Sequence, residues 1–216
     1  MKTSEIFERE IGYIANPILQ KIVAETLDSA PECIKIIPAS SSMKYHPEYA
    51  IVKGEVKDNG DVIEGGLVKH VKAVVGIANC LIGTEIFKNL ILGFEENDTT
   101  LLSLYADAVY ASCILHDSCK PDNSEKHTTR FDHPLVGAKL FKEIASKYIN
   151  ENNMEYMKIV VPLVYKGIAS HMGQFCTAPY ARGIVLPKPS NNFEEFVHMC
   201  DYLVSRKFID FNFDKY

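Results

Sequence analysis

The chain has no uninterrupted apolar run near the roughly 20 residues that a membrane span requires, and no transmembrane segment is expected. Its first residues, MKTSEIFEREIG, mix both charge signs around no apolar centre, so no signal peptide is read there. Positive charge is not in excess. The formal net charge of −5 and the pI near 5.8 argue against a broad electrostatic footprint for double-stranded nucleic acid, while leaving room for a local basic pocket for phosphate. The six cysteines (Cys33, Cys80, Cys113, Cys119, Cys176 and Cys200) show no CxxC spacing. With no export signal they read as free thiols in a reducing compartment, and a cytoplasmic location is expected. Internal repeats, low-complexity tracts and a series of parallel strands are also missing. What remains is a mainly α chain.

A composition of 47% hydrophobic and 24% charged residues over 216 positions is enough to bury a large core. It predicts one domain, or one domain with an appendage. We expect residues 1–33 to form an N-terminal helical appendage and residues 34–216 the main domain, the whole making one compact unit. Ser4 to Asp28 carries helical periodicity that Asn16-Pro17 kinks or splits. Residues 29–64 read as a long loop, followed by a small β-hairpin near residues 49–63, with Ile51-Val52 and Val62-Ile63 flanking the turn Lys57–Gly60. Helical patterns return from Gly66 to about Leu92, with Gly93 as a stop and Asn97-Asp98-Thr99 as the next start. Further helices are expected over Leu101–His116, from His133-Pro134, over Glu155–Ser170 across Pro162, and over Phe193–Arg206.

His116-Asp117 ends the apolar run Leu101–Leu115, which reads as a buried helix. An imidazole and a carboxylate there need partners, because an unpartnered buried polar group costs roughly 2–7 kcal/mol. His70 shares a stripe with Leu67 and Val74, and Asp201 sits at the margin of a stripe of Phe193, Phe196, Cys200 and Leu203. Each has a plainer account alone: His70 as a hydrogen-bonded core residue, Asp117 as a loop cap, Asp201 paired with Arg206 or Lys207. Together they place inward polar atoms on three helices, and a divalent metal would satisfy them all.

The segments GGLVKHVKAV around His70, CILHDSCK around His116-Asp117 and HMCDYLVSRK around Asp201 resemble the HD-domain superfamily of metal-dependent phosphohydrolases, over roughly residues 34–206. The resemblance implies an all-α, HD-like helical bundle in which His70, His116, Asp117 and Asp201 ligate one divalent ion. Some members hold a second ion with histidines at places comparable to His133 and His171, the aspartate bridging. One or two ions per chain are therefore expected. A His/Asp set suits Mn, Fe, Co, Ni or Zn, and its carboxylates admit Mg. Such an ion lowers the pKa of water toward neutrality and makes a hydroxide nucleophile, so Asp117 is also expected to serve catalysis.

Lys120 lies at a spacing from Asp117 that is similar to that in many HD-family sites, where it would neutralise phosphate or a leaving oxygen; a surface lysine before Pro121 is the alternative. Arg130 and Arg182 are candidates for phosphate binding. The segment PASSSMKYHPEY offers Ser41, Lys44, Tyr45 and His46 for a phosphate or nucleoside pocket, and a Ser-rich turn accounts for it equally well. The expected function is hydrolysis of a phosphoester, monoester or diester, in a small phosphorylated substrate such as a nucleotide or nucleoside phosphate. Two other readings stay open: a phosphodiesterase or 3′–5′ exonuclease on single strands, which the acidic balance disfavours, and a non-catalytic metal- or nucleotide-binding module. No duplex nucleic acid or membrane partner is expected, and homo-oligomerisation is left open.

Overall fold

Asn16-Pro17 splits the N-terminal helical stretch in the structure, a computed structural model that describes residues 1–44, 46–92, 99–122, 129–181 and 183–206. Two single-turn helices, α1 (Thr3–Ile6) and α2 (Glu8–Ile11), precede α3 (Pro17–Ser29). Pro17 takes a first-turn position, where its missing N–H leaves nothing unpaired. Asn16 Oδ1 caps the helix, accepting from the amides of Ile18 and Leu19 at 2.9 and 3.2 Å.

The loop that follows contains two 3₁₀ turns, Glu32–Lys35 and Glu48–Ile51, and then the hairpin of β1 (Glu55–Val56) and β2 (Val62–Ile63), with Glu55 opposite Ile63. The first strand lies later than the sequence suggests. Ile51 closes a 3₁₀ turn, and the Val52 carbonyl accepts from the Gly66 amide at 2.7 Å, so this stretch is tied to the next helix rather than to Val62.

The periodic stretch from Gly66 to Leu92 divides into α4 (Gly66–Ile82) and α5 (Glu85–Leu92), bent 90° apart. Thr84 makes the corner. Its Oγ1 donates to the Leu81 carbonyl at 2.6 Å and accepts from the Phe87 amide at 3.4 Å, ending one helix and starting the next. The expected Gly93 stop and Asn97-Asp98 start lie outside the described residues. Then come α6 (Thr99–Leu115), α7 (His133–Ser146, Pro134 in its first turn), α8 (Met154–Ser170, continuous through Pro162) and α9 (Asn192–Val204).

The fold is all-α with one small hairpin. Helix α6 is its axis, packed by α3, α4, α8 and α9. From Asp107 to Leu115 every α6 side chain is buried, which explains why its sequence is apolar all round instead of on one stripe. One apolar core joins Phe7 and Leu19 of the N-terminal helices to Leu67, Ile114, Phe141 and Phe196, so residues 1–33 share it. Among the described residues no single helix is long and apolar enough to cross a membrane.

Candidate metal centre

His70 owes its position to the two glycines before it. A Cβ on Gly66 would meet the Ala50 carbonyl oxygen at 2.3 Å, so only glycine lets the loop backbone lie against the start of α4. The contact is fixed by Leu67 N donating to Ile37 O at 3.0 Å as well as by the Gly66–Val52 bond. His70 follows within α4. His116 and Asp117 come just past α6, His133 opens α7, His171 follows α8, and Asp201 lies near the end of α9. Five helices thus bring six side chains together at the buried centre of the bundle. His70, His116, Asp117, His133 and His171 are each 3% exposed or less; the Asp201 side chain, at 18%, marks the way out.

The donor atoms form two groups. In the first, His70 Nε2 lies 3.3 Å from His116 Nε2 and 3.0 Å from Asp201 Oδ1. In the second, His133 Nε2 lies 3.3 Å from His171 Nε2 and 2.9 Å from Asp117 Oδ1, with His171 Nε2 at 3.6 Å from that oxygen. Asp117 joins them, because its other oxygen, Oδ2, lies 3.5 Å from His116 Nε2 and 3.8 Å from His70 Nε2. With metal–ligand bonds of about 2.1 Å, two donors on one ion stand roughly 3.0–3.4 Å apart, close to four of these spacings. His171 Nε2–Asp117 Oδ1 at 3.6 Å and His116 Nε2–Asp201 Oδ1 at 3.8 Å are somewhat wider. Each group is able to hold a metal ion.

Hydrogen bonding behind the rings fixes which nitrogen faces inward. The Nδ1 atoms of His116, His133 and His171 each sit 2.8 Å from a backbone carbonyl, of Cys113, Arg130 and Ile168 in turn. A carbonyl only accepts, so Nδ1 carries the proton and, in the neutral ring, Nε2 presents a lone pair. In their neutral forms His133 and His171 therefore face each other across 3.3 Å with lone pairs. Asp117 Oδ1 beside them has no hydrogen bond among the described residues: His133 is close enough, but its N–H is spent elsewhere. A cation satisfies all three, and this orphaned trio is the observation that fits the residues to a metal. His70 differs, since its buried Nδ1 has no partner among the described residues.

The electrostatics favour positive charge in the pocket. Burial opposes ionisation of Asp117, yet Lys120 and His116 outweigh it and hold the carboxyl well below its usual range. Asp201 behaves alike: burial is overcome by its hydrogen bond to His70 and by His116. Burial lowers the His70 and His133 pKa values and keeps them neutral and ready to ligate. For His116 burial is overcome by Asp117 and Asp201, and its pKa rises.

Lys120 reaches the centre: its Nζ donates to Asp117 Oδ2 at 2.7 Å while the side chain is 18% exposed. His46 is half-buried within the field of Lys120, His70, Asp201 and Arg206, and burial with the neighbouring cations lowers its pKa. Ser41 and Lys44 are exposed, and the serines make local turns, Ser40 Oγ accepting from Ser42 N and Ser42 Oγ from Lys44 N. Arg130 grips Asp132 with two bonds of 2.8 Å, and its carbonyl, not its guanidinium, serves the centre through His133. Arg182 and Tyr45 lie outside the described residues. His198 went unread in the sequence, although it stands one helical turn before Asp201. Its Nδ1 donates to the His171 carbonyl at 2.6 Å. The fit is tight enough that Gly173, at φ +54°, must be glycine, because a Cβ there would lie 2.3 Å from the His198 ring.

Comparison of the chain with protein-family models, with curated proteins and with solved structures finds no match in any of the three.

Proposed function

We propose that this chain is a metal-dependent phosphohydrolase of the HD type, acting on a phosphoester of a small substrate, a nucleotide or nucleoside phosphate. What carries the reading is the orphaned trio of His133, His171 and Asp117 Oδ1, joined through Asp117 to His70, His116 and Asp201. A divalent ion held by these residues would supply a Lewis acid for a phosphate oxygen and water acidified to near neutrality.

The chain's own residues set the terms of the reaction. The carbonyls of Cys113, Arg130 and Ile168 hold three imidazoles in the ligating tautomer before any ligand arrives, so little reorganisation is needed. Asp117, anionic and buried, orients toward both donor groups at once. Lys120 Nζ stands at the open side, where its N–H groups can turn from Asp117 to a phosphate or a departing oxygen. Ile114, Leu115 and Ile168 are buried on the helices that lead into His116 and His171, and burial of the rings themselves raises the worth of each charge.

The test is elemental analysis of the purified chain together with a hydrolysis screen supplemented with Mn and Co. Near two ions per chain with release of phosphate or nucleotide supports the reading. One ion with activity restricts the centre to a single group of ligands. No metal and no hydrolysis under any supplementation overturns it in favour of a non-catalytic module.

A further inference from the structure

Arg206, just past α9, differs from the other cations near the centre. Lys120 is held by Asp117 and Arg130 by Asp132. Arg206 pairs with no carboxylate among the described residues. Its guanidinium lies over the Tyr202 ring at 4.2 Å from the centroid and over the Phe175 ring at 5.4 Å. Those two rings are nearly parallel, 15° apart with centroids at 6.3 Å. Its Nε is buried and has no hydrogen-bond partner among the described residues. A buried N–H without an acceptor calls for one, and a guanidinium packed against two aromatic rings carries a planar fork of donors suited to an anion.

The place is the mouth of the metal centre. Tyr202 directly follows Asp201, and Phe175 ends the 3₁₀ turn Gly173–Phe175 just past His171. Tyr202 also packs against the His198 ring at 5.8 Å, and His198 Nδ1 donates to the His171 carbonyl at 2.6 Å, so Arg206 is tied to the end of the centre where Asp201 is partly exposed. We infer that Arg206 binds a second anionic group of the substrate, and that the substrate class carries two phosphates, as a nucleoside diphosphate or bisphosphate does. One phosphate would meet the metal centre and Lys120, the other the fork of Arg206; the first half of this assignment rests on the phosphohydrolase reading.

Titration calorimetry in excess magnesium, with methylphosphonate and methylenediphosphonate as probes, tests it, since neither can be hydrolysed. The full chain should bind the diphosphonate at least about tenfold more tightly, the effect of one charge-assisted contact. Arg206→Ala should remove that preference, and Arg206→Lys should restore only part of it, because an ammonium offers no fork. If the Ala variant does not fold, Arg206→Gln, which keeps a flat group on the rings without the charge, reports the same loss. A preference that survives these changes, or no preference in the unmodified chain, overturns the inference. Affinity is read without turnover. A chain that discriminates the two probes yet hydrolyses nothing would sink the enzymatic reading and leave the Arg206 assignment standing.

Discussion

Asp107 and Asp117, two aspartates on and just past the same helix, are both almost fully buried, and they are satisfied in opposite ways. Asp107 accepts from the Ala15 amide at 2.6 Å, the Asn16 amide at 3.0 Å and the Tyr156 hydroxyl at 3.0 Å. It binds the N-terminal segment to the bundle and needs nothing from outside; its charge, after burial, helps hold the Tyr156 hydroxyl protonated. Among the described residues Asp117 accepts one hydrogen bond, from Lys120, and turns its other oxygen to imidazoles whose protons point away. The first carboxylate completes a fold. The second stands in a group of donors able to hold a metal ion. Burial alone does not separate a structural acid from a candidate metal ligand; the count of donors does.

Substitution separates them most sharply. Asp117→Ala should strip the metal and cut turnover by about three orders of magnitude, the worth of several kcal/mol of Lewis acidity. Asp107→Ala should keep the metal but leave buried donors unpaired, at a cost of about 3 kcal/mol and roughly 6–12 °C in Tm. Metal content and melting curves on both variants decide it. A metal-loaded Asp117→Ala protein, or a chelated Asp117→Ala protein that melts lower than equally chelated Asp107→Ala, would break the comparison.

Chelation should repeat the contrast reversibly. With free metal at about 1,000 times Kd, binding adds about 4 kcal/mol to stability, so a chelator should lower Tm by roughly 8–16 °C. Asp107→Ala should retain this shift from its lower starting point, and Asp117→Ala should lose it. An equal shift in both variants would mean that the ion binds elsewhere.

The sequence showed the second kind of acid better than the first. His116-Asp117 stands out because two polar residues end an apolar run, and the spacing of His70 and Asp201 on their own stripes agreed with it. Asp107 sits inside the same run without a sequence signal of its own, since its partners are two backbone amides distant in sequence and a tyrosine of α8. Backbone donors leave no mark in a sequence. The division of α4 from α5 was hidden for a related reason: the apolar pattern continues across Gly83-Thr84, and only the Thr84 hydroxyl bonds reveal the turn. The mouth was the least legible part. Stacking of Arg206 on Tyr202 and Phe175 depends on how a loop and a helix end meet, which no local period encodes.

Lys120→Ala divides the contribution of Asp117 itself. The lysine touches the carboxylate but is no ligand, so the metal should stay while the rate falls about 100-fold, as when a single donor to a developing charge is removed. Rate and metal content should therefore part company in this variant; unchanged kinetics would leave the lysine a counter-charge only.

Acid should weaken the metal-free fold. Asp117, Asp201, His70 and His133 all have pKa values below their ordinary ones, so on acidification the unfolded chain takes up their protons first. Their contribution is present above the ordinary histidine pKa of about 6.5 and is lost as pH falls through that range and then through the carboxylate range. His116, shifted upward, works the other way: its contribution is lost as pH rises through its raised value. From pH 7 to about pH 5 the two lowered histidines outnumber the one raised, and below that the two carboxylates act in the same direction. Urea midpoints of chelated protein should therefore decline from about pH 7 to pH 3. In Asp117→Ala the decline should be shallower.

The smallest effect belongs to His198, which touches no donor atom of the centre. Its Nδ1–H holds the carbonyl of His171, and so steadies the ring through its backbone. His198→Ala should weaken metal binding roughly tenfold, the low end for residues behind a ligand. Excess metal should then restore kcat, since nothing that meets substrate has been removed. His198→Asn, whose amide can donate to the same carbonyl, should recover most of the affinity without added metal. A kcat that stays low at saturating metal would move His198 from behind the ligand to the mouth, beside the Tyr202 ring it already packs against at 5.8 Å.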